Sequence, residues 1–211
     1  MGRLWKAGAI VAGLALLGWT AWHPLLVSYQ HWILRDMFAA EPALLRGVGP
    51  AAGSHFPGLR AQGHAGLVTL LDPLAGARGT VLVNLQSVAD SPFCAEQLRQ
   101  LQHYANQFSA NGLSLVVLSQ DAPEELQAFA ARNGIAIPLL SDIQALSVKT
   151  LGLLAQREGP GDARQITPGV VLIDPNGVVV RTLAMANPQR RMDSKHLLSL
   201  AIGASDDTPE G

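Results

Sequence analysis

The stretch from Thr80 to Phe108, "TVLVNLQSVADSPFCAEQLRQLQHYANQF", decides how this chain is read. It opens on an apolar, β-branched run, passes through a polar turn, and sets the only cysteine of the chain, Cys94, at the start of a segment with helical periodicity. Ser91 is a good N-cap and Pro92 a good first helical residue, so Cys94 falls in the first turn of a helix expected over Pro92–Ser109. Unpaired backbone N–H groups and the positive end of the helix dipole meet in that turn, which favours a thiolate and presents the sulfur at the mouth of the helix. The same residues carry a blander reading. Cys94, Leu98, Leu101, Ala105 and Phe108 recur at four- and three-residue steps, a buried stripe on which a free cysteine is an inert small hydrophobe.

Outward from this stretch the pattern alternates strands and helices. Leu67–Leu71 and Thr80–Leu85 read as short strands separated by a turn around Gly76 and Gly79. Leu113–Ser119 reads as a β-branched strand and Pro123–Asn133 as a helix closed by Gly134. "IPLLSD" and a helix over Ile143–Leu154 follow, then a hairpin in "GVVLIDPNGVVVRTLAM" with Asn176-Gly177 as a two-residue turn. A last helix is expected over Met192–Ile202, ending at Gly203. Apolar strands linked by helices and finished by an antiparallel hairpin imply an α/β fold with a mixed central sheet covered on both faces.

The amino end is different. After Arg3 and Lys6 the chain has no Asp, Glu, Lys or Arg until Arg35, and Ala7–Val27 is long enough for the roughly 20 apolar residues a membrane-crossing helix needs. A cleaved signal peptide wants small residues at its cleavage site, and cutting after Ala21 puts Trp19 in that slot, so a retained anchor is favoured. The cationic end should stay cytoplasmic and the body of the protein be exported. The expected organisation is an anchor over residues 1–32, a Gly, Pro and Ala-rich linker over 33–66, a domain over 67–203 and a disordered tail over 204–211. A bacterial chain of this kind would sit in the inner membrane as a single-pass protein with its domain in the periplasm.

Composition excludes several classes. The net charge is -1 with 15 scattered Lys and Arg, so there is no basic face for nucleic acid. One cysteine rules out an intramolecular disulfide and any thiol cluster for a metal, and the six histidines show no ligand spacing. No cofactor is implied.

The order of elements, with "GTVLVNL", "SPFCAEQLRQLQ", "LVVLSQDAPEELQAFAARNG", "PLLSD" and "TPGVVLIDPNGVV", resembles the thioredoxin superfamily, and within it the peroxiredoxins of the alkyl hydroperoxide reductase and thiol-specific antioxidant family. The resemblance runs from about Gly66 to Ile202. It implies a thioredoxin-like fold and, at Ser91-Pro92-Phe93-Cys94, a peroxidatic SxxC in place of the CxxC of thioredoxin-like reductases. It implies Cys94 as nucleophile, Ser91 as an active-site hydroxyl, and Arg164 as the nearest counterpart of the family's arginine, with Arg157 a poorer one. Pro92 and Phe93 would line the substrate pocket. Thr167-Pro168 is similar to the cis-proline element beside the thiol in thioredoxin folds and would offer backbone to a substrate. Where peroxiredoxins carry a proline four residues before the motif, this chain has Ser87.

The function so implied is an oxidoreductase of antioxidant type, a membrane-tethered one-cysteine peroxidase. It would reduce peroxides and be regenerated by an external thiol. A protein that forms mixed disulfides with a client through a degenerate CxxC is the alternative, as is a non-catalytic thioredoxin-fold module serving assembly. The missing CxxxC pair argues against copper delivery.

Overall fold

The computed structural model describes residues 28, 29, 34, 36–63, 66–69, 76–154 and 166–206. The chain divides into two compact units, residues 1–38 and 39–211. The proposed span Ala7–Val27 lies outside the described residues, as does the end of the tail, 207–211. Among the described residues no helix is long and apolar enough to cross a membrane.

The second unit contains nine strands and four helices among its described residues. They are β1 (Leu44–Leu45), β2 (Arg60–Gly63), β3 (Gly66–Thr69), β4 (Gly79–Asn84), α1 (Pro92–Ala110), β5 (Leu113–Ser119), α2 (Pro123–Asn133), β6 (Leu139–Ser141), α3 (Leu146–Thr150), β7 (Gly169–Ile173), β8 (Val179–Met185), β9 (Arg191–Met192) and α4 (Ser194–Asp206). Eight of the strands form one sheet in the order β1-β8-β7-β4-β5-β6-β2-β3. β4, β5 and β6 run parallel, and β7 and β8 join antiparallel on the other side of β4, which is the mixed sheet expected.

Period-two side-chain alternation divides the core between the two faces of the sheet. Val81 and Val83 of β4, Leu115 and Val117 of β5 and Val170 and Leu172 of β7 pack with Leu98, Leu101 and Phe108 of α1, Leu126 and Phe129 of α2 and Leu197 of α4. Leu82, Val116, Leu118, Val171 and Ile173 point the other way, onto Phe56, Leu59, Val148, Leu151 and Leu153. Each such side chain contributes about 1.5–3 kcal/mol on full burial, so the two clusters together fix the sheet against both layers.

Local signals place several elements where expected. α1 starts at Pro92 behind Ser91, and α2 ends at Gly134 in the left-handed conformation with φ 62°. Elsewhere the structure differs. The stretch 33–66, expected as a linker, supplies two strands of the sheet, β1 and β2, and buries Phe56, Leu59 and Ala61. β3 and β4, read from the sequence as short strands separated by a turn, stand far apart in strand order, with β3 at the sheet edge beside β2.

The helix expected over Ile143–Leu154 shrinks to Leu146–Thr150 because the chain is held at both ends. Ala145 takes a positive φ of 54° before it, and Gly152, φ 65°, follows it. The buried Asp142 carboxylate accepts from the N–H groups of Ser147 and Val148 and fixes the start. In the hairpin the turn centres on Pro175-Asn176, with Gly177 N donating to Asp174 O at 3.1 Å and Gly177 itself at φ 77°. Proline's fixed φ suits the first central position and glycine takes the positive φ that follows, displacing the expected Asn176-Gly177 turn by one residue. The last helix begins at Ser194, later than expected, because Asp193 caps it, its carboxylate accepting from Lys195 N and His196 N; it continues through Gly203 to Asp206.

Candidate functional site

The parallel strands β4, β5 and β6 end together at Asn84, Ser119 and Ser141, and β7 begins beside Asn84 at Gly169. Loops that follow the carboxyl ends of parallel strands are where α/β sheets build their sites. Here the loop from Leu85 to Ser91 leads into the helix that carries Cys94.

One carboxylate anchors that loop. Asp121, just past β5 and buried, accepts from Ser87 Oγ at 2.5 Å, Val88 N at 2.6 Å, Ala89 N at 3.3 Å and Ser119 Oγ at 2.6 Å. Ser87 Oγ also accepts from Asp90 N at 2.9 Å. The serine that stands in the place of the family's proline therefore ties both halves of the turn together by hydrogen bonds, where a proline would restrict the backbone covalently.

The loop delivers Ser91 as the N-cap of α1, its Oγ accepting from Cys94 N at 3.3 Å, with Pro92 in the first turn. This is the cap geometry the sequence implied. Exposure is another matter. Cys94 is 1% exposed, so the sulfur is not presented to solvent at the mouth of the helix, and the buried stripe formed by Cys94, Leu98, Leu101 and Phe108 is real. Pro92 is exposed and Phe93 half-buried at the rim.

The buried sulfur has a charged neighbour. Arg191 Nη2 donates to Cys94 Sγ at 3.5 Å, and Arg191 is itself only 2% exposed. Its Nη1 donates to the carbonyls of Pro188 and Arg190, and its Nε has no partner. The register that brings it there is set two turns down α1. Gln100 Oε1 accepts from Ser194 N at 2.9 Å and Ser194 Oγ at 2.7 Å, and Gln100 Nε2 donates to Asp193 Oδ2 at 3.1 Å. This clamp locks the start of α4 to α1 and leaves Arg191, three residues before Ser194, over the first turn of α1. A cation and a helix N-terminus converge on this sulfur, which supplies the electropositive part of what a reactive thiol needs, while the partial exposure that goes with it is absent here.

Arg164, the arginine the resemblance pointed to, lies outside the described residues, as does Arg157. Arg191 escaped the sequence reading because "NPQRRMDS" looks like a solvated turn, and nothing local says that the second arginine turns inward. Thr167 and Pro168 lie at the start of β7, but their backbone is already used. Thr167 N donates to Leu153 O, Thr167 O accepts from Asn84 Nδ2, and Pro168 O accepts from Met185 N. Each of these groups thus already carries one hydrogen bond, and the Thr167-Pro168 bond is trans rather than the cis form the resemblance implied, no cis peptide occurring among the described residues. Among the described residues no group of three or more His, Cys, Asp or Glu side chains is placed to hold a metal ion.

A thioredoxin-like sheet with a capped, arginine-contacted cysteine at the start of the helix after its central strand defines a peroxiredoxin-like redoxin. Residues 52–182, well over half of the chain, match the model of the AhpC/TSA family, and the chain belongs to that family. The matched segment holds Ser91, Cys94 and Asp121 and ends before Arg191. A Mycobacterium tuberculosis protein provisionally named a peroxiredoxin is 29% identical over 109 residues, 51% of this chain and 69% of its own length. Among solved structures, peroxidoxin BcpB from Mycobacterium tuberculosis superposes with a TM-score of 0.62 at 19% identity, over 77% of this chain and 99% of its own. Reduced Prx3 from Vibrio vulnificus gives 0.62 at 23% identity, over 72% and 98%. At these identities the likeness speaks for the fold.

Proposed function

We propose that the chain is a one-cysteine thiol peroxidase, and the observation that carries this reading is the contact of Arg191 Nη2 with Cys94 Sγ in the first turn of α1. The thiolate of Cys94 attacks the oxygen of R–O–O–H that bears the hydrogen. An S–O bond forms as the O–O bond breaks, the electron pair leaves on RO⁻, and solvent protonates it to the alcohol. Sulfur ends as sulfenic acid, oxidised by two electrons, and the peroxide is reduced by two. Arg191 balances the charge that moves from sulfur to the leaving oxygen. With one cysteine in the chain, regeneration falls to external thiols. The first attacks the sulfenic sulfur and expels water, and a second resolves the mixed disulfide.

Burial of the sulfur favours a small peroxide over a folded protein disulfide as the oxidant, since a hydrogen peroxide molecule needs far less opening of the first helical turn. That observation sets this reading above the mixed-disulfide alternative. The apolar run Ala7–Val27, behind Arg3 and Lys6, supports a further element of the proposal, a single-pass anchor in the inner membrane that holds the domain on the exported side.

The test is rapid mixing of the purified chain with hydrogen peroxide, with a sulfenate-trapping reagent as readout and Cys94→Ser as control. Oxidation at least a hundredfold faster than free cysteine supports the peroxidase; a rate equal to free cysteine leaves a non-catalytic module. A phosphatase fused after Asp206 reports the side on which the domain lies, and an inactive fusion would reject export.

A further inference from the structure

The first turns of α1 hold a second buried polar group that the scheme above leaves unused. Gln97 is 3% exposed, sits on the buried face of α1 among Cys94, Leu98 and Leu101, and its Oε1 has no hydrogen-bond partner. Residues three apart on a helix are neighbours, about 5–6 Å between Cβ atoms, so Gln97 lies directly beyond Cys94 on one face. The other unpaired group here is a donor. Arg191 Nε and Nη2 share one edge of the planar guanidinium; Nη2 is on the sulfur and Nε, on the same edge, is unpaired.

A buried acceptor three residues along the helix from the nucleophile and a buried donor on the guanidinium that touches it are each left open at a cost in desolvation, and such groups call for a ligand of matching pattern. A hydroperoxyl group has that pattern. Its O–H donates and its second oxygen accepts, and the two oxygens are adjacent, as are the prongs of a guanidinium edge.

We infer that Gln97 is a substrate-contacting residue, its Oε1 accepting the O–H of the bound peroxide while Arg191 Nε donates to the oxygen that leaves. The contact fixes which oxygen the sulfur meets. The hydrogen-bearing oxygen is held toward Sγ by Gln97, and the RO oxygen is held at the cation, where negative charge develops as the O–O bond breaks. No proton passes to Gln97; it orients the O–H, which stays on the oxygen transferred to sulfur. This inference rests on the peroxidase reading and adds the residue that selects the hydroperoxide end of the substrate.

The experiment compares wild type with Gln97→Met, close in volume but without the acceptor, and with Gln97→Leu as a second variant. Two rates are read on the full chain: oxidation of Cys94 by hydrogen peroxide and alkylation of Cys94 by iodoacetamide, which needs the nucleophile but has no O–H to orient. The expected result is about a tenfold loss of the peroxide rate, the worth of one hydrogen bond. Alkylation should stay within twofold and the melting temperature should equal or exceed wild type, because Oε1 loses no partner. An unchanged peroxide rate overturns the inference, and so does a parallel fall of both rates, which assigns Gln97 a structural role. A wild-type chain that oxidises no faster than free cysteine instead overturns the peroxidase reading beneath it, so the two failures are distinguishable.

Discussion

Replacing Asp121 tests how the site is held in place. Its carboxylate accepts two backbone N–H groups, from Val88 and Ala89, and two hydroxyls, from Ser87 and Ser119. Asp121→Asn puts an NH₂ where one carboxylate oxygen was. Hydroxyls rotate and accept, but a backbone N–H does not, so the amide nitrogen takes the Oδ1 side, where the displaced N–H is the long 3.3 Å contact of Ala89. One weak acceptor and the charge assistance of the rest are lost, about 2 kcal/mol. Asp121→Ala strands the buried N–H of Val88 and the buried hydroxyl of Ser119 and costs about 4 kcal/mol. For a domain of this size each kilocalorie lowers the melting temperature by about 2–4 °C, so the expected losses are about 4–8 °C and 8–16 °C.

Thermal unfolding followed by circular dichroism measures the stability part. The site part is measured by alkylation of Cys94 in native buffer, which should quicken in both variants as the loop feeding α1 loosens, and more for alanine. If both variants unfold within about 0.5 kcal/mol of wild type, or if labelling is unchanged while stability falls, the idea that this carboxylate positions the cysteine helix is wrong.

Arg191→Met should lower the rate of peroxide oxidation about a hundredfold, the usual scale for one transition-state donor, while Arg191→Lys, keeping charge but not the fork, falls between; equal rates for Met and wild type in stopped-flow would remove the cation from the mechanism. Ser91→Ala removes the cap on Cys94 N and should cost about 1 kcal/mol in urea denaturation, with Ser91→Thr near neutral.

The parts of the fold that were legible in the sequence rest on local chemistry. Ser91-Pro92 announces the start of α1 and Gly134 the end of α2, because caps and left-handed glycines act within a few residues. β2 was hidden because "RAQG" buries only Ala61 and Gly63, side chains too small to raise an apolar alternation above its Gly and Pro-rich surroundings. The short α3 was overestimated because its limits come from Asp142 reaching across the turn and from Ala145 held at a positive φ, neither of which hydrophobic periodicity registers. The site divides the same way. Ser91 and Cys94 are neighbours in sequence and could be named together. Arg191 is 97 residues from Cys94 and reaches it only because Gln100 clamps the start of α4 to α1. Gln97 gave a faint signal, one amide on an otherwise oily stripe, visible in the letters but without meaning until Arg191 was placed on Cys94, three residues before it.

The enclosure of the sole thiol makes it a clock. A reagent in the bulk can touch this sulfur only in the moments when the first turn of its helix peels away, so the speed of labelling under native conditions counts those openings directly. The reductant that must reset the oxidised protein waits at the same door. When peroxide is plentiful, steady-state throughput is then governed by how often a few residues unwind, and a substitution that stiffens that turn would slow both half-reactions, the reductive one more, because a thiol reductant needs a wider opening than a peroxide does.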